Sequence, residues 1–331
     1  MSTTMTPMPA AAPGMNITDK TVALNLTFGR VGNSKKVPKS QIQEKAAGDA
    51  TPTQDCAVEV DADKNLVGVS KRLLKSKELA DIQSHDSEVA QWVKDRSVPS
   101  MFRRGIYLVK IEAVQQIEEY LQAAAAKRAD LIAKFLAVYD KQKAEAEQHL
   151  RGVYDPQDYP PKGVVAATFV FEWSYITFAT PAKLKEISSD FFEKERAKAE
   201  AKWSQATEEA KLLLRAQMKD LVDHLLERLE PGEDGKKKIF KSSTVSNIAT
   251  FLENFKIRNV TDDAEMELLV GNAQKLLSNI DPKDLRENEA VRSNMAAGFG
   301  MVKTFLDQMV ETAGSRKIVL EEEPETEESI F

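Results

Sequence analysis

The residues that most often carry chemistry are few in this chain and lie far apart. It has one cysteine, Cys56, and three histidines, His85, His149 and His224. A zinc site needs clustered Cys, His or carboxylate ligands, and these histidines fall in different predicted helices without that spacing. Glu145 and His149 are four residues apart and so share one helix face, but the sequence lacks the paired Glu-x-x-His motifs of di-iron bundles.

Nucleotide-binding and hydrolytic motifs are also missing from the sequence. Residues 232–238, GEDGKKK, place two residues between the glycines, whereas a P-loop has four, and then Lys and Ser or Thr. We interpret this segment as a basic surface loop. No Gly-x-Ser-x-Gly elbow occurs, and Cys56 has no partner motif. The sequence therefore predicts a protein that is not an enzyme and that uses no cofactor and no metal.

The net charge of −6 is concentrated at one end of the sequence. Residues 321–331, EEEPETEESIF, contain six Glu and no basic residue, so residues 1–320 are neutral by count. This segment is either a solvated tail or a docking peptide for an apolar pocket rimmed by basic residues. In the docking interpretation the contact residues are Glu321, Glu322, Glu323, Ile330 and Phe331.

Three local clusters of basic residues interrupt the neutral body. Such clusters are usually solvated surface, and the alternative is contact with nucleic acid or with an acidic partner. The clusters are Lys71, Arg72 and Lys75; Arg103 and Arg104; and Lys236, Lys237 and Lys238.

We expect helices to position most of these residues, because apolar residues recur at helical spacing over most of the chain. The 14 Gly and 13 Pro are few for 331 residues, which favours long uninterrupted helices. We predict a mainly α fold with a small β part, in which the two longest helices pair as an antiparallel, coiled-coil-like hairpin. The predicted helices are 77–94, 112–150, 184–229, 242–255, 263–277 and 282–311.

Short stretches with period-two alternation predict the β part. Residues 21–28, 56–60 and 66–69 are predicted strands, residues 39–52 a loop or short helix, and residues 102–109 an extended connector.

An aromatic strand is predicted over residues 164–178, in the connection between the two longest helices. Residues 163–180 carry a single charge, so a membrane-active apolar tongue is the alternative, but aromatic alternation favours a buried or interface strand. The thin apolar seam of the helix around Trp203 indicates self-association as a homo-oligomer. The candidate interface residues are Phe169, Phe171, Trp173, Tyr175 and Trp203.

Composition divides the chain into five predicted parts. They are a disordered arm (1–18), a small β-rich part (19–70), the long-helix hairpin (71–230), a C-terminal helical bundle (242–312) and a disordered acidic tail (315–331). The N-terminus has no secretory signal pattern, and a lone cysteine suits a reducing compartment, so we expect a cytoplasmic protein.

Several motifs between residues 60 and 230 resemble those of a bacterial and phage family, the domain of unknown function 3150. The motifs are KRLL (Lys71–Leu74), GIYLV (Gly105–Val109), the long-helix end at Tyr139-Asp140, the loop Tyr159-Pro160 and FVFEW (Phe169–Trp173). Members of that family are often encoded beside a MoxR-like or CobS-like AAA+ ATPase and a CobT-like von Willebrand A protein, on phages and mobile elements.

The resemblance implies a partner of such a motor system and brings no catalytic residues. We therefore expect a non-enzymatic interaction or scaffold protein of a phage or mobile element, whose partner is an AAA+ ATPase or a von Willebrand A protein. The alternative is a nucleic-acid-associated protein of the same elements, based on the basic clusters and on the similarity of the acidic tail to the tip of bacterial single-stranded-DNA-binding proteins.

Overall fold

The protein is represented by a computed structural model that divides into two compact units. Unit 1 contains residues 1–24, 94–114 and 175–331, and unit 2 contains residues 25–93 and 115–174. The structure confirms the predicted mainly α fold with a small β part. It describes residues 17–44, 58–100, 105–177, 180, 183–229, 242–278, 285 and 288–315.

Nine helices are found within those residues, and two of them are much longer than the rest. The helices are α1 (Ile17–Lys20), α2 (Lys77–Lys94), α3 (Val114–Leu150), α4 (Lys162–Thr168), α5 (Leu184–Ile187), α6 (Ser189–Leu229), α7 (Ser242–Arg258), α8 (Ala264–Leu277) and α9 (Glu289–Ser315).

Eight short strands form three small sheets in the described part of the chain. The strands are β1 (Thr21–Phe28), β2 (Ser34–Lys36), β3 (Ile42–Glu44), β4 (Val58–Val60), β5 (Ser70–Arg72), β6 (Val98–Pro99), β7 (Ile106–Lys110) and β8 (Phe171–Ile176). One sheet has the order β6-β7-β1-β8, in which β6 and β7 are antiparallel. The other two are the antiparallel pair β2-β5 and the parallel pair β3-β4.

Side-chain caps fix where several helices begin. A side-chain oxygen just before the helix accepts a hydrogen bond from a backbone N–H of the first turn, which otherwise has no partner. Ser76 caps α2 in this way, Ser188 caps α6, Asp263 caps α8 and Asn288 caps α9. The predicted start of the last helix, at residue 282, lies outside the described residues.

Unit 2 has its core between α2, α3 and the loop after α3. Phe135 and Tyr139 of α3 are buried in one cluster with Leu79 and Ile82 of α2. The Tyr139 hydroxyl donates to the Pro160 carbonyl at 2.9 Å. Burial of each such side chain contributes about 1.5–3 kcal/mol to stability, so this cluster holds the C-terminal half of α3 against α2.

Unit 1 has its core around the C-terminal two thirds of α6, which packs against α7 and α9. Arg292 near the start of α9 donates to the Leu229 carbonyl at the end of α6, at 3.0 Å. Arg215 further back in α6 donates to the Met309 carbonyl, at 3.3 Å. The two helices are therefore antiparallel.

The predicted hairpin placed the two longest helices side by side, whereas in the structure α3 and α6 belong mainly to different units. Phe135, Tyr139 and Ala146 in the C-terminal half of α3 belong to the cluster of unit 2, whereas the buried apolar residues of α6 belong to the cluster of unit 1. Helical periodicity identifies a buried face but does not identify the element that covers it. The main partner of α6 is α9.

Four local predictions require correction. Residues 66–69 are not a strand; Leu66 is 86% exposed, and the strand begins at Ser70. Residues 164–168 lie in the helix α4 rather than in the aromatic strand, because a short apolar run after Pro161 suits either structure. A break at Ser188, whose backbone is extended, separates α5 from α6. Ile17 is buried in α1 rather than part of a disordered arm.

Gly29 lies where β1 ends and the segment before β8 passes close by. Its N–H donates to the Val170 carbonyl at 2.7 Å, and its own carbonyl accepts from Arg128 at 2.8 Å. A Cβ at this position would lie 2.5 Å from the Thr168 carbonyl oxygen. The close approach of the two backbones therefore requires glycine.

Candidate functional site

The antiparallel pair β2-β5 in unit 2 brings two basic segments of the chain together. Residues 30–39 and residues 70–77 each contain four basic residues and no carboxylate. In the register of the pair, Ser34 lies opposite Arg72, Lys35 opposite Lys71 and Lys36 opposite Ser70. We call residues 34–36 and 70–72 the basic ribbon.

One face of the basic ribbon alternates cations with hydroxyl groups. Successive side chains of a strand point to opposite faces, and residues directly opposite each other share a face. Ser34, Lys36, Ser70 and Arg72 therefore lie on one face, and all four are exposed. Lys36 and Arg72 are diagonal neighbours, for which the usual separation is about 7–8 Å.

Lys71, predicted as part of an exposed basic cluster, is instead buried. Its ammonium nitrogen lies 2.7 Å from the Asp158 carboxylate, and it also donates to the Val153 carbonyl. Its charge is therefore neutralised within unit 2. Lys35, directly opposite Lys71, is exposed.

The remaining cations of the basic ribbon and its flank have no charge partner within the described residues. No carboxylate of that part of the chain forms an ion pair with Lys35, Lys36, Arg72 or Lys75. Arg30, by contrast, is paired with Asp86. Uncompensated cations on a surface attract anions most strongly where no fixed carboxylate competes for them.

A groove of about 190 Å³ adjoins the basic ribbon and shares Arg72 with it. Its other side is formed by one face of α3, including Glu145 and His149, whose common face the sequence predicted. Its lining residues are Arg72, Leu73, Lys75, Gln142, Glu145, Ala146, His149 and Leu150.

Hydrogen bonds from elsewhere in unit 2 hold the segment between the ribbon and α2. The amide of Asn33 accepts from the Leu74 N–H at 2.7 Å and donates to the Leu74 carbonyl at 2.9 Å. The buried hydroxyl of Tyr159 donates to the Leu73 carbonyl at 2.9 Å, and burial raises the pKa of Tyr159 to about 12. The rim of the groove is therefore fixed by neutral groups.

The most deeply buried charges of unit 2 form a structural centre rather than an open site. Asp86 is fully buried and accepts from Arg128 at 2.7 Å and from Arg30 at 2.8 Å. His85 beside it is also buried, and Nδ1 has no hydrogen-bond partner within the described residues. Burial lowers the pKa of His85, with a further contribution from the charge of Lys127.

Two of the predicted aromatic interface residues pack inside unit 2. The ring of Phe169 meets that of Phe135 edge to face, with centroids 5.7 Å apart. The ring of Phe171 stacks on Phe28, with centroids 4.8 Å apart. The guanidinium of Arg128 lies within 5.9 Å of the rings of Phe28, Phe169 and Phe171. The alternation, which predicted a buried or interface strand, serves at these two positions for packing within unit 2.

The other three aromatic candidates are dispersed. Trp173 is half-buried, and its indole N–H donates to Glu118 at 2.8 Å. Tyr175 is half-buried, and Trp203 on α6 is buried in the core of unit 1.

The remaining predicted site residues lie outside the described residues. They are Arg103, Arg104, Lys236, Lys237, Lys238, Glu321, Glu322, Glu323, Ile330 and Phe331. Cys56, which was not a predicted site residue, also lies outside them. The basic residues that the sequence analysis missed are Lys35 and Lys36. Their only sequence signal is the density of basic residues between positions 30 and 39, because strand pairing across more than thirty residues is not visible in a local pattern.

Comparison with other classes of site gives two negative findings for the described part of the chain. Its His, Cys, Asp and Glu residues form no group of three or more suited to a metal ion. None of its helices has the length and hydropathy needed to span a membrane.

Comparisons with known proteins add no relative from which a function could be transferred. No protein-family model matches the chain, and searches of curated proteins and of solved structures find no match. The resemblance to the domain of unknown function 3150 stays a prediction, and the candidate site rests on its own geometry.

Proposed function

We propose that this chain is a non-enzymatic nucleic-acid-binding protein that contacts phosphates through the basic ribbon. The observation that carries the proposal is the β2-β5 pairing, which places Lys36 and Arg72 on one exposed face together with two serine hydroxyls. Arg, Lys and Ser side chains are common donors to phosphate oxygens in nucleic-acid complexes. The overall charge of −6 does not oppose this, because exposed charges more than about 10 Å away are largely screened at 0.1 M salt.

Phosphate contacts fix a position along the backbone and carry no base sequence. Three cations without an ion-pair partner among the described residues, Lys36, Arg72 and Lys75, are available for such contacts. If each neutralises one phosphate of a duplex, the logarithm of the binding constant falls with the logarithm of salt concentration with a slope of about −2.7. Binding is therefore expected to be weakly dependent on sequence and strongly dependent on salt.

Fluorescence anisotropy with labelled single-stranded and duplex oligonucleotides, titrated at several salt concentrations, tests the proposal. The double variant Lys36→Glu/Arg72→Glu is expected to bind at least about tenfold more weakly at low salt and to show a shallower salt slope. The matched control is Lys134→Glu/Lys275→Glu, which changes the net charge equally at exposed positions that are not part of the ribbon. Equal weakening by the control, or no binding by the wild-type chain at low salt, would refute the proposal.

An acidic protein surface would present carboxylates to the same cations, so competition identifies the partner class. Poly-glutamate added at the same charge concentration is expected to displace the oligonucleotide only weakly. Displacement as efficient as that by unlabelled oligonucleotide would replace nucleic acid by an acidic protein as the partner. The AAA+ ATPase or von Willebrand A partner implied by the family resemblance stays a prediction.

A further inference from the structure

The helix α6 is longer than the helix that covers it. It has 41 residues, and its antiparallel partner α9 has 27. The difference of 14 residues corresponds to about 21 Å of helix. We call residues 189–202, the first 14 residues of α6, the overhang.

No residue of the overhang is buried against the part of the chain that the structure describes. The first buried residue of α6 is Trp203, and Phe191 within the overhang is 47% exposed. Just before the helix, Ile187 is 77% exposed. Large apolar side chains are thus presented to solvent at this end of α6.

The apolar seam of α6 continues into the overhang. Buried residues of α6 include Trp203, Ala206 and Ala210, separated by steps of three and four. The same spacing leads back to Phe192 and Ala199, which are half-buried. Steps of three and four along one face are the pattern of a helix that packs against another helix.

Ion pairs within the overhang stabilise its helical structure independently of packing against another element. Lys194 pairs with Asp190 at 2.9 Å, and Arg196 pairs with Glu193 at 2.9 Å and with Glu200 at 3.4 Å. Pairs three or four residues apart stabilise an isolated helix modestly. The overhang is therefore stabilised as a helix, while the described residues leave its seam uncovered.

Charge is distributed unevenly along the overhang. Residues 189–195 carry a net charge of −2, and residues 196–202 carry a net charge of +2. Two copies side by side in parallel would place like charges together. In antiparallel orientation the acidic half of each copy faces the basic half of the other.

We infer that the overhang pairs antiparallel with the overhang of a second copy of this chain. The pairing sets Phe191 and Phe192 of each copy beside Ala199 of the other, where a small side chain leaves room for a phenyl ring. The two charge-complementary halves determine the orientation of the pairing. This inference is independent of the basic ribbon, which lies in unit 2.

Two charge-reversal variants provide a test that does not depend on loss of folding. The basic variant removes the acidic half, and the acidic variant removes the basic half. Their substitutions are Asp190→Lys, Glu193→Lys and Glu195→Lys in the first, and Arg196→Glu, Lys198→Glu and Lys202→Glu in the second.

Light scattering and sedimentation equilibrium from low to high micromolar concentrations measure association. The wild-type chain is expected to form a concentration-dependent dimer, and each variant alone to associate at least about tenfold more weakly. Mixing the two variants is expected to restore dimers, because a basic overhang and an acidic overhang attract each other. Circular dichroism of each variant controls for retained helix.

A wild-type chain that is monomeric at all these concentrations would overturn the inference. So would variants that dimerise as well as the wild type, or a mixture that shows no recovery. If the wild type is monomeric and deletion of residues 316–331 produces a dimer, the acidic tail rather than a second copy occupies the overhang.

Discussion

The two longest helices of this protein are alike in length but are stabilised in different ways. Helix α3 has 37 residues and is buried at intervals from its first turn to near its last. Helix α6 has 41 residues, and its first 14 contain no buried residue. The buried residues of α3 are Ile117, Leu121, Ala124, Arg128, Phe135, Tyr139 and Ala146.

An arginine in each helix shows what the difference means. Arg128 of α3 is 2% exposed and forms hydrogen bonds to a fully buried Asp86. Arg196 of α6 has a side chain that is 53% exposed, and its ion-pair partners among the described residues, Glu193 and Glu200, lie in the same helix. Arginine at position 128 thus joins two elements of the fold, whereas arginine at position 196, in the first part of α6, supports the local helix. Helical propensity alone can therefore extend a helix beyond the core that its sequence can bury.

The largest expected effect separates these two arginines directly. Arg128→Met leaves the Asp86 carboxylate buried with Arg30 as its remaining partner, so the free energy of unfolding of unit 2 is expected to fall by about 3–5 kcal/mol. Arg196→Met removes exposed pairs, and the expected loss is below about 1 kcal/mol. Urea unfolding in a Trp203→Phe background measures both effects. Fluorescence of the remaining tryptophans, Trp92 and Trp173, follows the unfolding of unit 2, and circular dichroism follows the unfolding of the whole chain.

A double variant provides the control for the buried arginine. Replacing both partners, as in Asp86→Leu/Arg128→Met, removes the unpaired charge and is expected to recover part of the lost stability. A loss below about 1 kcal/mol for Arg128→Met alone would break the comparison, because the two arginines would then be energetically alike.

A second, intermediate effect concerns pH and the helix that packs against α3. Burial lowers the pKa of His85 below its ordinary value of 6.5. The unfolded chain therefore binds the proton first, and this contribution to the stability of unit 2 is present above pH 6.5 and lost as the pH falls toward the lower folded-state pKa. Thermal unfolding at several pH values measures the loss. His85→Gln is expected to flatten the dependence of stability on pH in this range, whereas the exposed control His149→Gln is expected to leave it unchanged. A wild-type stability that rises as the pH falls through this range would contradict the assignment of the effect to His85.

The smallest expected effect is on binding, at the C-terminal end of α3. Glu145 lines the groove beside Arg72 and Lys75. Removing its charge by Glu145→Gln is expected to strengthen oligonucleotide binding about twofold, since charges several ångströms apart in water interact by about 0.5 kcal/mol. Anisotropy titration measures the change, and Glu147→Gln, exposed on the same helix outside the groove, is the control. Equal effects of the two variants would show that the groove does not contact the ligand.

Local patterns in the sequence were sufficient to predict the type and bounds of elements whose secondary structure depends on their own residues. Strand β1 and helix α2 span the predicted residues, and α3 ends at the predicted Leu150. Alternation at period two and apolar spacing at 3.6 are properties of the segment itself. The failure at residues 164–168 has the same origin, because a short apolar run does not distinguish a strand from a helix.

Features that depend on distant partners could not be predicted in this way. Lys36 and Arg72 share a face only because β2 pairs with β5, which is remote in sequence. Lys71 was predicted to be exposed, because its partner Asp158, which is half-buried, follows more than eighty residues later. The partner of α6 was misassigned for a similar reason: its seam fits any helix of matching period, and packing selects α9.

The close approach at Gly29 has a consequence for how substitutions in this protein would be tolerated. A Cβ there would lie 2.5 Å from the Thr168 carbonyl oxygen and 2.8 Å from the Val170 nitrogen, so no other residue fits without a backbone shift. In a library covering every substitution, position 29 would accept only glycine, although it belongs neither to the basic ribbon nor to the groove. Lys36 would tolerate nearly every residue for folding. Positions that tolerate no substitution in a selection for folding would therefore identify close backbone packing. Residues such as Lys36 would be identified only in a selection for binding.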